Sequence, residues 1–227
     1  MLITGLTSET GFDLARGFAD HGARLIIQSP EDSPEMTELA AVLAENSAAM
    51  KLFNDPLASD DQALKLVQTA VQEFGGLDIV INLVSVPAAD VARLETMEDV
   101  EGLVSDALRI PLRLTESAAN RMRLVWVEGS ILNIVRMPDA GGGRAAMLAD
   151  VLRAALQDLT RAMATTWSEQ GIRINAVAPP SSVGALSGQR AASDADLSAF
   201  ALQLASRKSR SVSGYVLDAE GAAQRWG

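Results

Sequence analysis

The sequence predicts an α/β fold: a doubly wound parallel sheet between two layers of helices, built as one domain over residues 1–227. Three observations predict it. Short apolar runs alternate with segments of helical period along the whole chain. The clearest run, "LDIVINLV", is apolar continuously rather than at every second position, as in strands buried on both faces. The first run passes into a helix through a glycine-bearing turn, "TGLTSETG".

The elements follow in order. "MLIT" reads as the first strand, and "GFDLARGFADHG" as a helix in which Leu14 and Phe18 lie one turn apart and Gly22 is a natural stop. "RLIIQ" is a second strand; the polar stretch "SPEDSPE" separates it from an alanine-rich helix at about Glu35 to Glu45. "MKLFND" is a third strand. Leu64, Val67, Val71 and Phe74 then follow 3, 4, 3 spacing, predicting an amphipathic helix with these four inward and "GG" closing it. After the strand "LDIVINLV" come a helix over about 97–122, the strand "SILNIV", and the loop "DAGGGR". A long helix over about 145–169 carries Leu148, Leu152, Leu156, Leu159 and Met163, followed by the strand "IRINAVAP" and a last short strand "YVLDA". No Pro- or Ser-rich linker divides the chain, and "SRKSRS" at 206–211 reads as a solvated loop.

Composition narrows the function classes. A formal net charge of −10 disfavours nucleic acid and anionic membrane as partners, since both reward basic surfaces. With no cysteine and the single histidine His21, there is no disulfide framework and no soft metal site. No secretory segment or membrane span is legible, so the expected compartment is the cytoplasm. "DAGGGR" lacks the Lys-Ser/Thr of a phosphate loop and reads as a flexible connection.

Four stretches together resemble the short-chain dehydrogenase/reductase family over essentially the whole chain. They are "TGLTSETG" for T-G-x-x-x-G-x-G, "LDIVINLVS" for L-D-x-L-V-N-N-A-G, "GIRINAVAPP" for G-I-R-V-N-x-V-x-P-G, and "LASRKSRSVSGYVLDAEGA" for the closing L-A-S…T-G-x-x-L-x-V-D-G-G. The resemblance implies a Rossmann-like fold and points to the ketoacyl-reductase-like members. It also implies a catalytic set: a Ser after the fifth strand, a Tyr-x-x-x-Lys on the next helix, and an Asn on the preceding helix. In such a set the Tyr protonates a carbonyl oxygen, the Lys one turn later lowers the Tyr pKa, and the Ser polarises the same oxygen.

This sequence departs from that set. Alignment from "SILNIV" forward and from "GIRIN" backward, without a gap, puts the Ser position at Arg136, the Tyr position at Ala149 and the Lys position at Arg153. Anchoring on Thr115 and Met122 puts the Asn position at Ala107. The single tyrosine, Tyr215, lies in the closing motif, and His21 ends the first helix, away from the strand ends where ligands bind. The expected catalytic set is therefore empty. Arg136 and Arg153 are expected either to pair internally with Glu9 or Asp150 and close the pocket, or to bind a carboxylate, a phosphate or part of a CoA ester.

The cofactor positions are vestigial in the same sense. Gly5 and Gly11 keep the outer glycines of the turn, while Glu9 replaces the middle one, where the backbone approaches the pyrophosphate. At about 5 Å and an effective dielectric near 20, a carboxylate repels each phosphate charge by roughly 3 kcal/mol, or about 100-fold in affinity. Asp55, or Asn54, matches the family's adenine-reading acid, and Asn82 the first Asn of N-N-A-G; each is also explained as a strand-end turn residue or a strand tie. Ser85 and Pro180 replace family glycines, and Ser29 and Pro30 supply neither a ribose-gripping acid nor an arginine for a 2′-phosphate. No tightly bound cofactor and no metal are expected.

The leading expectation is a catalytically silent family member, a structural or regulatory subunit in a homo- or hetero-oligomer through the helices at about 97–122 and 145–169, paired with an active reductase. Its short segment between Pro180 and Gly214 reads as a reduced lid. The alternatives are an NAD- or NADP-dependent oxidoreductase of small carbonyls or acyl thioesters with atypical residues, and a nucleotide or anion sensor without turnover.

Overall fold

The computed structural model describes residues 1–138, 143–181 and 192–217, without the Arg207 side chain. Its strands are β1 (Leu2–Thr4), β2 (Arg24–Gln28), β3 (Ala49–Phe53), β4 (Ile79–Ser85), β5 (Ser130–Arg136), β6 (Arg173–Val177) and β7 (Val216–Leu217). They form one sheet in the order β3-β2-β1-β4-β5-β6-β7, parallel throughout. The strand order reverses between β1 and β4, which places a cleft at their carboxyl ends.

The helices are α1 (Phe12–Ala19), α2 (Pro34–Asn46), α3 (Asp60–Phe74), α4 (Ala88–Ala92), α5 (Met97–Leu124), α6 (Gly143–Thr166) and α7 (Asp194–Ala205). Leu14 and Phe18 of α1, Leu43 of α2 and Leu197 and Leu204 of α7 share a core with Ile3, Ile27 and Leu83 on one face of the sheet. Val67 of α3, Leu114 of α5 and Ala164 of α6 pack on the other against Leu2, Ile26 and Val80. Successive strand residues thus feed opposite cores, as a period of two requires.

Helix starts are written locally. Ser33 accepts the Met36 N–H ahead of Pro34, and Ser59, Thr96 and Ser193 each form a capping box with Gln62, Asp99 and Asp196. Each side chain satisfies an N–H that the first helical turn leaves open.

Three expectations need correction. Leu64 is 42% exposed, and the buried stripe of α3 is Ala63, Leu66, Val67 and Ala70. Val67 is buried as expected, and Val71 and Phe74 pack partly buried against the same core, so of the four only Leu64 falls outside the stripe, which is completed by Ala63, Leu66 and Ala70. The segment between Pro180 and Gly214 is not simply a lid: α7 lies along α1, burying Leu197, Phe200, Ala201 and Leu204. A Cβ at Gly17 would sit 2.4 Å from Ser198 Oγ, so glycine permits this approach. "SRKSRS" contains a 3₁₀ turn, Arg207–Ser209, and Arg210 pairs with Glu128 at 2.9 Å. Of "DAGGGR", residues 139–142 lie outside the described residues and Gly143 and Arg144 begin α6; the end of "YVLDA", from Asp218, also lies outside them.

Candidate functional site

A cavity of about 390 Å³ opens at the strand-order reversal, between the ends of β1 and β4 and the helices α4 and α5. Gly5, Asn82 and Ala107 line it, together with Thr4, Gln28 and Ser85. Glu9, Gly11, Asp55, Arg136, Ala149 and Arg153 do not. Among the described residues, the ionisable groups on its wall are Asp90 and Asp106, both acidic.

Asn82 is a strand tie. Its Nδ2 donates to Asn133 Oδ1 at 2.7 Å, its Oδ1 accepts from Thr4 Oγ1 at 3.0 Å, and Thr115 Oγ1 donates to Asn133 at 3.1 Å. All four residues are buried, joining β1, β4, β5 and α5. Pro111, inside α5, has no N–H to give the Ala107 carbonyl, so the helix is weakened beside the cavity.

The outer glycines of the turn are demanded by the fold. Gly5 has φ 73 and a Cβ there would lie 2.1 Å from the Leu83 carbonyl oxygen; Gly11 has φ 91 and a Cβ would lie 2.4 Å from Leu83 Cδ1. Both sit in the left-handed region that glycine enters at little cost. Their presence therefore says nothing about a ligand.

The backbone N–H groups of Gly5, Leu6, Thr7, Ser8, Thr10 and Gly11 are spent within the protein. Gly5 N–H donates to Gln28 Oε1 at 2.9 Å and Leu6 N–H to the Gln28 carbonyl at 3.2 Å. Thr7 and Thr10 exchange backbone bonds at 3.0 and 3.3 Å. Ser8 N–H donates to Glu31 Oε2 at 2.8 Å and Gly11 N–H to Asp194 Oδ2 at 2.7 Å. Two carboxylates thus occupy the backbone donors that cradle phosphate in a dinucleotide turn, and Glu9 stands exposed beside them.

Arg136, the last residue of β5, reaches the same carboxylate: its Nη1 lies 2.5 Å from Asp194 Oδ1. Its partner is neither Glu9 nor Asp150, as the sequence suggested, because α7 brings an acid distant in the chain to the end of β5. Arg153 Nη1 donates to the Pro179 carbonyl at 3.2 Å, and Ala149 is buried one turn before it. Asp55 contributes its backbone carbonyl to Gln28 Nε2 at 2.8 Å, while the Asn54 amide reaches Asp32 at 3.2 Å. Ser29 Oγ accepts the Glu31 N–H at 3.0 Å. Tyr215 leads into β7, its N–H held by Asn175 Oδ1, and exposed His21 bonds the Gly17 carbonyl.

Sequence reasoning missed Gln28, Glu31 and Asp194. Glu31 follows Ser29 and Pro30 closely enough to be noticed as an acid beyond the second strand; Asp194 carries no local signal beyond the capping pattern of its helix. The turn as it stands does not fit the pyrophosphate of a nicotinamide dinucleotide, because carboxylates hold the Ser8 and Gly11 N–H groups and, among the described residues, no lysine or arginine lines the cavity.

Among the described residues no helix is long and apolar enough to cross a membrane. A family model described as Enoyl-(Acyl carrier protein) reductase matches residues 5–189. Galactitol 2-dehydrogenase of Agrobacterium fabrum is 31% identical over 180 residues, covering 78% of this chain and 68% of the relative. Two solved structures share the fold: YwfH, an NADPH dependent reductase involved in bacilysin biosynthesis (TM-score 0.77, 18% identity, 97% of each chain), and ElxO with NADP bound (TM-score 0.74, 22% identity, 98% of each chain).

Proposed function

This chain belongs to the short-chain dehydrogenase/reductase family, and we propose that it is a catalytically silent member: a cytoplasmic structural or regulatory subunit that holds no nicotinamide cofactor tightly. The observation that carries the reading is Ala149. Hydride addition to a carbonyl leaves an alkoxide that must receive a proton, and the position that would supply it presents a methyl group. Arg136 cannot substitute as a donor of ordinary strength, since a guanidinium does not give up its proton in proteins, and it is already clasped by Asp194. Loss of one positioned acid or base costs about 10²- to 10⁴-fold in rate.

What remains is a scaffold for assembly. The outer side of α6 carries Ala146, Val151 and Ala154 along a shallow depression. Small residues allow close helix packing, and with α5 this face is the proposed contact with an active reductase of the same family or with a second copy.

A second reading, an NAD(P)-dependent oxidoreductase of small carbonyl or acyl-thioester substrates with Arg153 in the lysine's place, is favoured by the dehydrogenase named among its relatives. Untagged purification from the native source, followed by assay with NADH and NADPH against a panel of carbonyls, separates the two. Co-purification with a reductase and no turnover by the isolated chain is expected. Turnover by the isolated chain sinks the silent reading, and nucleotide binding without turnover would make the protein a sensor.

A further inference from the structure

We propose that the Asp194 carboxylate, clasped between the Gly11 N–H and the Arg136 guanidinium, is an autoinhibitory latch that keeps phosphate-bearing nucleotides off the glycine turn. One oxygen accepts from Gly11 at 2.7 Å at the start of α1, and the other meets Arg136 at 2.5 Å. These are the two contacts that draw a phosphate to such a place: backbone N–H at a helix N-terminus, and a guanidinium. The carboxylate therefore acts as a phosphate surrogate supplied by the chain.

Asp194 is not needed to cap its own helix. Ser193 Oγ accepts the Asp196 N–H at 3.2 Å, and Asp196 Oδ2 accepts the Ser193 N–H at 3.0 Å, closing the cap without it. The Asp194 side chain is thereby free to serve the neighbouring helix, and its release leaves α7 intact. The packing of α7 along α1, tight at Gly17 and Ser198, holds the carboxylate in reach. Glu31 supports the latch by holding the Ser8 N–H at 2.8 Å.

Release unmasks a positive charge. With the Asp194 carboxylate displaced or replaced, its hold on the Gly11 N–H is lost and Arg136 is left without its counter-charge, so a seat filled by a carboxylate becomes one that favours an incoming anion. The inference is independent of catalytic silence, because nucleotide affinity can rise while Ala149 still offers no proton.

The test is calorimetric titration of the full chain with ADP-ribose and, separately, with adenosine, for the unaltered protein, Asp194→Asn, and Asp194→Asn combined with Glu31→Gln. Thermal melting checks that each is folded, and Asp194→Ser serves if the amide variant is not. ADP-ribose is expected to bind Asp194→Asn about 10- to 100-fold more tightly than the unaltered chain, with a further gain in the double variant, while adenosine changes less than about twofold. Equal ADP-ribose affinity in folded variant and unaltered chain, including no binding to either, overturns the latch. So does an equal gain for adenosine, which would place the effect in the cavity rather than at the phosphate seat. Turnover assays on the same samples test the silent reading separately.

Discussion

Asn82 and Asn133 face each other across β4 and β5, joined by an amide hydrogen bond of 2.7 Å in a fully buried setting. Thr4 donates to the Asn82 oxygen and Thr115 adds a second donor to the Asn133 oxygen, so the network ties β1, β4, β5 and α5 together. A ligand is not required to explain Asn82. Replacing it with leucine strands the buried Thr4 hydroxyl and takes away one of the two donors to Asn133 Oδ1, and is expected to lower stability by about 2–3 kcal/mol. Urea unfolding measures this; a loss under about 0.5 kcal/mol would contradict the structural role.

Gly5→Ala is expected to be more severe. The new methyl meets the Leu83 carbonyl oxygen at 2.1 Å, and the backbone must hold φ 73 with a side chain attached. Relief requires β1 and β4 to part, at a cost of about 3 kcal/mol or more. Gly75→Ala, where no atom lies within 4 Å and only the positive φ opposes it, is the comparison and should cost about 1 kcal/mol. Similar losses at the two sites, measured by denaturant, would refute the steric account.

Trp126 turns the chain from α5 towards β5 at φ 56 with 95% of its surface exposed. A large residue in the left-handed region is strained, and little burial offsets the strain. Trp126→Gly is expected to leave stability unchanged or raise it by up to about 1 kcal/mol. A fall in melting temperature would show that the indole makes contacts the fold depends on.

The Thr96–Asp99 cap at the start of α5 carries an acid signature. Backbone N–H bonds from Glu95 and then Thr96, with the Thr96 hydroxyl after them, hold Asp99 below its ordinary 3.8. A lowered folded pKa means the cap's contribution is fully present above about pH 4 and is lost as pH falls through the folded value. Carboxyl NMR should show Asp99 titrating below ordinary aspartates, and Thr96→Ala should move it back up. Titration at or above 3.8 in the unaltered chain would contradict this arrangement.

Assembly through α6 is tested by Ala154→Arg, which places a long cation on the small-residue face. Association with a reductase partner, or self-association measured by light scattering, should weaken at least about tenfold with the circular dichroism spectrum unchanged. Undiminished association would move the contact elsewhere.

The sequence by itself determined the alternation of strands and helices and the glycine turn. These are local or serial properties: buried parallel strands must be apolar throughout, left-handed turns favour glycine, and a motif counted in residues stays in register when its helix and strand are continuous. Only the tertiary structure decided which face of α3 is buried and what holds Arg136. The surface a helix meets settles the edge of its buried stripe, and in α3 it takes in Ala63 and Leu66 and leaves Leu64 outside. The chain separates Gly11 from Asp194 by 183 positions, and it takes the docking of α7 against α1 to bring that carboxylate onto the turn. Local pattern can place a side chain on a helix, but its electrostatic partner is chosen by packing.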